Sequence, residues 1–430
     1  MTATATAEPT QWSNLQKIAF RFFFIFFFLY VFFNSNGVLP YYDEFVAKFY
    51  LDPFQKFIPW LAKNVLHFAK PVVVGPTGSG DTTYDYLTML CITVVTLLGT
   101  ITWSITGRKT NNYNKLFYWL TVVVRYYVGI TMLNYGFYKV IKLQFPGASF
   151  ARLLEPVGSM SPMGLAWTYM GHSVPFNYFT GFAEISVGLL LFFRKTSTLG
   201  AIVGLVVTGN IVAINYCFDV PVKLLSTTLL IMCFFLLTRD ATRLTNFFFK
   251  NADAKPSNLT PHRFKARWKN ITLTAIKVLL IAYTLLLDLI QTTALEKQRN
   301  NAKPPLYGLY NVETFIKNRD TLKPLTTDTN RWAKFMISYE GGAQIEMMND
   351  SMTYYSFKPN VKKRTIVAGT YADTVHKFNL IYATPKPGIM ELKGTWKKDS
   401  IFVRLRKMDA NNFPLLKRGF HWVNEFPFNR

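Results

Sequence analysis

Seven blocks of mainly apolar residues, which end at residue 291, constrain the fold of this chain more than any other feature. A helix needs roughly 20 such residues to cross the hydrocarbon core of a bilayer. Unpaired backbone groups are too costly in lipid, so blocks of this kind cross as helices. The predicted spans are 18–33, 84–105, 116–140, 176–193, 199–218, 220–238 and 271–291. The sequence therefore predicts a polytopic α-helical membrane protein with about seven transmembrane helices, residues 18–291 forming its membrane domain.

The composition agrees with a membrane location. Only 17% of the residues are charged, whereas soluble proteins usually carry about a quarter. The net charge of +24 would suggest nucleic acid as the partner of a soluble chain. Here many basic residues lie in loops beside the predicted spans, where they orient transmembrane helices. We expect the lipid bilayer as a partner and no nucleic acid.

The same basic residues predict the orientation. The loop 239–270 carries their densest cluster and is assigned to the cytoplasm. Residues 1–17 are then a cytoplasmic tail, and seven spans place the C-terminus outside. The C-terminal domain is then extracytoplasmic. The outer loop 34–83 interleaves aromatic residues with lysines and is predicted to form one or two amphipathic helices at the interface.

The sequence changes character after the last span. Residues 292–305 are predicted to be a polar linker, and residues 306–430 an extracytoplasmic β-rich domain. Seven or so short segments there, such as RTIVAGTY, alternate apolar and polar residues between turn-forming residues. The pattern is typical of a small all-β sandwich or barrel. A helix is expected only at 311–318.

Charged residues inside the spans are expensive and are candidate functional groups. Arg125 lies near mid-membrane, and it shares one helix face with Gly129, Gly136 and Lys139. The two glycines permit a neighbouring helix to approach closely. Glu184, in the next span, is the natural partner, and an ion pair between Arg125 and Glu184 is predicted.

Further polar residues stand at the outer ends of the fifth and sixth spans. With the previous group they indicate a polar cavity that opens outward between spans three to six. A structural interpretation stays open, because an ion pair between helices needs no ligand, Lys139 can extend to the interface, and Asp219 and Lys223 can cap a corner. Asp288 is expected to be solvated. The candidate ligand-binding or ion-pair residues are Arg125, Lys139, Glu184, Asn215, Asp219 and Lys223.

Motifs for common cofactors and nucleophiles are absent from the sequence. No histidine lies in the interior of a predicted span, which argues against a bis-histidine haem. The cysteines Cys91, Cys217 and Cys233 form no CxxC pair. No metal site is predicted, and the catalytic residues, if the protein is an enzyme, stay unassigned.

Spans three to six resemble the DoxX-like family of four-helix membrane proteins. The resemblance rests on RYYVGITMLNYGFYKVIKL (125–143), FAEISVGLLLFF (182–193) and NYCFDVPVKLLS (215–226). It implies a DoxX-like core at 116–238, and with its added spans and C-terminal domain the chain looks like the long DoxX-like proteins of Bacteroidota. Relatives of the family are linked to quinone-associated sulfur oxidation and to membrane complexes with redox enzymes.

Two functions follow from these features. The first is a membrane scaffold or accessory subunit that presents the β-domain to other envelope proteins. The alternative is a quinone- or lipid-linked membrane oxidoreductase, in which Glu184 handles protons and Arg125 holds a carbonyl or an anionic headgroup. A transporter is disfavoured, because no inverted repeat with broken helices is visible.

Overall fold

The computed structural model describes residues 11–254, 256, 264–301, 303–371 and 377–429. It divides into two compact units. The helical unit contains the chain up to residue 141 together with residues 175–292, and the barrel unit contains residues 142–174 and the chain from residue 293 onward.

Helices make up the part of the chain that precedes the β-rich region. They are α1 Asn14–Phe33, α2 Lys48–Asn64, α3 Thr83–Thr106, α4 Asn114–Val140, α5 Phe150–Leu154, α6 Pro162–His172, α7 Val174–Phe192, α8 Ser197–Cys217, α9 Lys223–Thr238, α10 Ala241–Phe248 and α11 Arg267–Asn301. By length and composition, six of these described helices can cross a membrane: α1, α3, α4, α7, α8 and α11. The shorter α9 is followed by an 82° bend into α10, and the pair gives a seventh span if it is counted as one. The predicted set of long apolar helices is confirmed.

Helix α4 is the centre of the helical unit. In its most apolar stretch, 61% of the residues are buried, against 11% for α11. Its Tyr127 and Leu133 pack in one core with Val187 and Leu191 of α7 and Met232 of α9. Most side chains in this stretch of α11 are therefore left at the surface of the helical unit.

The predicted amphipathic segment in loop 34–83 is confirmed as a helix. A π-helical turn at Asp43–Ala47 leads directly into α2. Ile58 and Ala62 of α2 are buried against Leu87 of α3, while many of its other apolar side chains stay exposed.

Two predictions about the region after residue 291 are wrong. Helix α11 continues to Asn301, so most of the predicted linker 292–305 is helical. The sequence ALEKQR consists of strong helix formers, which explains the extension. The helix expected at 311–318 is a strand, β1 Gly308–Lys317. Its β-branched and aromatic residues favour a strand, and it pairs on both sides, with the strands Trp332–Tyr339 and Asp399–Met408.

The β-rich region is a closed eight-stranded antiparallel barrel. Its strands are β1 Gly308–Lys317, β3 Trp332–Tyr339, β4 Gly342–Met347, β5 Met352–Asn360, β6 Thr365–Thr370, β7 Lys377–Lys386, β8 Ile389–Trp396 and β9 Asp399–Met408, and the short β2 Asp320–Thr321 is added to β1. Consecutive strands pair in order, and β9 returns to β1 with Leu309 opposite Met408 and Lys317 opposite Ile401. A barrel, and not a sandwich, is formed.

Aromatic side chains fill the interior of the barrel. The ring of Trp396 lies 4.7 Å from that of Tyr355, 4.8 Å from that of Trp332 and 4.9 Å from that of Phe378. An eight-stranded barrel is just wide enough either for packed side chains or for one small ligand. Here the aromatic cluster takes up this space.

A buried arginine stabilises one end of the barrel. Arg331 is 4% exposed and donates to the carbonyls of Leu322 (3.1 Å), Trp332 (3.1 Å) and Val312 (3.3 Å). Burial lowers the pKa of its guanidinium, but the carbonyl acceptors satisfy the charged form. Outside the barrel, Phe150 of α5 packs on Leu309, so residues 142–174 belong to this unit.

Candidate functional site

Helices α4 and α7 cross in backbone contact through two pairs of glycines. A Cβ atom on Gly136 would lie 2.8 Å from the carbonyl oxygen of Gly181, and one on Gly188 would lie 2.6 Å from that of Gly129. No larger residue fits at such distances, which is the known role of small residues between membrane helices. The predicted close approach beside Arg125 and Lys139 is confirmed, and its partner is α7.

Next to this crossing, Lys139 forms a buried ion pair with Glu184. Glu184 is 1% exposed and Lys139 is 7% exposed. The second carboxylate oxygen of Glu184 is buried and has no hydrogen-bond partner among the described residues. One cation thus neutralises the carboxylate, but only one of its two oxygens has a polar partner among the described residues.

The predicted pairing of Arg125 with Glu184 is wrong. The glycine contacts make α4 and α7 antiparallel, with Gly129 opposite Gly188. Arg125 lies one turn beyond Gly129 and is therefore carried away from Glu184. Its Nε donates instead to the carbonyl oxygen of Leu191 at 2.7 Å. The cation that pairs with Glu184 is Lys139, which lies near the other end of α4, on the helix face predicted to carry both cations.

Helix α4 makes a second buried polar contact, with α11. With the Asn134 amide nitrogen turned toward Asp288, it donates to the two carboxylate oxygens at 3.0 and 3.2 Å and to the carbonyl of Ile130 at 3.0 Å. This orientation follows from the hydrogen bonds. Asp288 is 7% exposed, so the expectation that it is solvated is wrong. Periodicity alone did not indicate this contact, because Asn134 is an ordinary polar residue in a long span.

The other candidate residues form the corner between α8 and α9. Lys223 Nζ lies 2.8 Å from Asp219 Oδ1, and Asn215 Nδ2 donates to Ser226 Oγ at 3.0 Å. Asp81, which the sequence did not single out, accepts from the backbone nitrogens of Lys223 (2.6 Å) and of the next residue (3.0 Å). It therefore caps α9, and Asp219 and Lys223 pair at the corner that precedes this helix.

Two large clefts open on the helical unit, and neither is lined by Lys139, Glu184, Asn215, Asp219 or Lys223. The larger, of about 970 Å³, lies between α4, α7 and α11 and is lined by Arg125. The smaller, of about 550 Å³, lies between α1, α4 and α9. Of the predicted site residues, Lys139 and Glu184 are brought together, Asp219 and Lys223 are brought together, and Arg125 stands apart in the larger cleft.

The described residues hold no group of three or more histidine, cysteine, aspartate or glutamate side chains arranged to bind a metal ion. What the paired residues do is hold helices together. Lys139 with Glu184 joins α4 to α7, and Asn134 with Asp288 joins α4 to α11.

Two features thus define the class of this protein: several helices that can cross a membrane, and a closed β-barrel. It is a polytopic helical protein with a β-barrel domain. No family model and no solved structure matches the chain. Over 126 residues it is 35% identical to the uncharacterized protein YwoB of Bacillus subtilis (strain 168), an alignment that covers 29% of this chain and 79% of YwoB. The chain belongs to the family of YwoB.

The glycine crossing gives a stability prediction. Gly188→Ala is expected to destabilise the helical unit by about 1–3 kcal/mol, the usual range for overpacking, because the new methyl group would meet the backbone of Gly129. Thermal denaturation of the detergent-solubilised protein, followed by fluorescence-detected gel filtration, measures the change. Gly209→Ala in α8 is the matched control, since its nearest neighbour would be 4.0 Å away. Equal melting temperatures for the two variants would contradict the contact.

Proposed function

We propose that the protein is a membrane scaffold or accessory subunit, with a DoxX-like four-helix core at 116–238, that presents its β-barrel to other proteins of the bacterial envelope. In this proposal the N-terminus is cytoplasmic, the helices lie in the inner membrane and the barrel is periplasmic. The basic residues of loop 239–270 support that orientation. Lys255 and the histidine and arginine at 262–263 lie outside the described residues.

The observation that supports this proposal most strongly is the filled barrel. Because Trp396 and its aromatic neighbours occupy the interior, the domain is not built around a ligand. Its outer surface and its tail are the parts left for recognition. The helical unit supports the same proposal, because its buried ion pair and amide–carboxylate contact join helices.

In this proposal the C-terminal tail is the contact surface for a partner. Phe420 is 78% exposed, Trp422 91%, Val423 73% and Phe426 84%. Large aromatic residues dominate the binding energy of protein interfaces when a partner buries them. Four exposed apolar side chains within seven residues, three of them aromatic, are costly to the free protein and useful only if something covers them.

The alternative, a quinone- or lipid-linked oxidoreductase, has one observation in its favour. The buried oxygen of Glu184 that has no hydrogen-bond partner among the described residues is a group that a bound hydroxyl or quinol would satisfy. The other oxygen of Glu184 pairs with Lys139, which neutralises the carboxylate without a ligand. The scaffold proposal is therefore preferred.

A photo-crosslinking amino acid at Trp422 tests the scaffold proposal in cells of the native host. Irradiation is expected to give one or a few discrete protein adducts, whereas the same probe at Tyr354, a 52% exposed residue on the barrel wall, is expected to give few or none. The variant Trp422→Cys tests the topology as well. If the barrel is periplasmic, a membrane-impermeant maleimide should label the introduced thiol in intact spheroplasts above the background of Cys217. Indistinguishable adduct patterns at both positions would overturn the proposal.

A further inference from the structure

The larger cleft of the helical unit is lined by cations at several depths. Arg125 is in the middle of α4, Lys277 is in α11, Arg194 follows α7, and Arg267 begins α11. No aspartate or glutamate is among its lining residues. Four cations beside one cleft repel one another, and near a membrane such a group attracts anionic headgroups.

Arg125 is the strongest evidence for an anionic ligand. It is 5% exposed and donates from Nε to a backbone carbonyl, but it makes no ion pair among the described residues. A buried arginine without a carboxylate leaves a charge that a ligand in the cleft can neutralise.

The neighbouring cations are held by aromatic side chains. Arg194 donates to the Tyr118 hydroxyl and its guanidinium lies 5.3 Å from the centre of the Tyr118 ring. Lys277 Nζ lies 5.0 Å from the centre of the Phe193 ring. Aromatic contacts orient a cation but leave its charge in place. The buried acid beyond the end of α9, Asp240, is already paired with Arg239 (2.8 Å) and Arg243 (3.0 Å).

The wall of the cleft that α11 forms also carries apolar side chains that face outward. Ile271 is 60% exposed, Ile276 54% and Val278 58%, although all three line the cleft. Acyl chains can pack along such a surface, and a soluble anion would leave it uncovered. We propose that this cleft binds an anionic amphiphile, with a phosphate-bearing headgroup on Arg125, Arg194, Arg267 and Lys277 and its chains along α11.

The site lies in the half of the helical unit where α4 begins and α7 ends, which is the cytoplasmic half in the proposed topology. It does not depend on the barrel having a protein partner. The proposed crosslinks and the lipid site can therefore fail separately.

Native mass spectrometry of the full-length protein, released from nanodiscs of equal parts phosphatidylglycerol and phosphatidylcholine, tests the site. The protein is expected to retain phosphatidylglycerol in preference to phosphatidylcholine. Arg194→Gln with Lys277→Gln should weaken that binding roughly 30-fold, as expected when two cations near the membrane surface are lost. Both side chains are only half-buried, so the double variant is expected to fold.

Arg108→Gln with Lys109→Gln is the matched control. It removes the same charge from an exposed loop between α3 and α4 and should leave lipid retention unchanged. Equal retention of the two lipids, or equal loss in both double variants, would overturn the proposal. Displacement of phosphatidylglycerol by added inorganic phosphate would also overturn it, because it would identify a site for a free anion.

Discussion

Replacing Lys139 by alanine is expected to destabilise the helical unit by about 3–5 kcal/mol, the usual cost of leaving one member of a buried ion pair without its partner. Glu184 is 1% exposed, and its second oxygen already lacks a hydrogen-bond partner among the described residues. Loss of the ammonium group would leave the carboxylate with neither a counter-charge nor water.

The double variant Lys139→Ala, Glu184→Ala separates the ion pair from simple packing loss. It should be more stable than Lys139→Ala alone, because no uncompensated charge remains. Melting temperatures of the four proteins in detergent give the coupling. Arg152→Ala is the control for a partly exposed pair, since the side chains of Arg152 and Glu155 are both about 30% exposed, and it should cost no more than about 1 kcal/mol. Additive losses in the cycle would show that Lys139 and Glu184 do not interact.

The second large effect is expected in the barrel. Trp396→Ala should lower the free energy of unfolding of the barrel by about 3–5 kcal/mol, as for other large-to-small changes in cores. The indole contacts the rings of Trp332, Tyr355 and Phe378, so its removal leaves a cavity that three aromatic neighbours border. Limited proteolysis of the full-length protein in increasing urea, with the fragments identified by mass, follows the barrel separately from the helices.

Tyr354→Ala is the control on the outer face of the barrel. Its side chain is 52% exposed, so the change should stay within about 0.5 kcal/mol. If Trp396→Ala resists proteolysis as well as Tyr354→Ala does, the interior of the barrel is not held together by this cluster.

The candidate site could be predicted from the sequence only in part. The stripe of Arg125, Gly129, Gly136 and Lys139 was identified from helical periodicity, and Glu184 was identified as an acid that needs a cation. Which of the two cations it meets depends on the register of α4 against α7, and the glycine pairs decide that register. Residues such as Asp81 and Asn134 gave no signal, because a cap or an amide–carboxylate contact is visible only when distant segments meet.

The sequence by itself indicated most of the helices and strands, although residues 292–301 and 311–317 were assigned wrongly. Apolar blocks of span length must form helices, since lipid offers no partner for a free backbone group, and period-two alternation must form strands, since it places apolar side chains on one face. The closure of β9 on β1 and the pairing of Lys139 with Glu184 were decided by tertiary structure. Each depends on contacts between residues that are far apart in sequence.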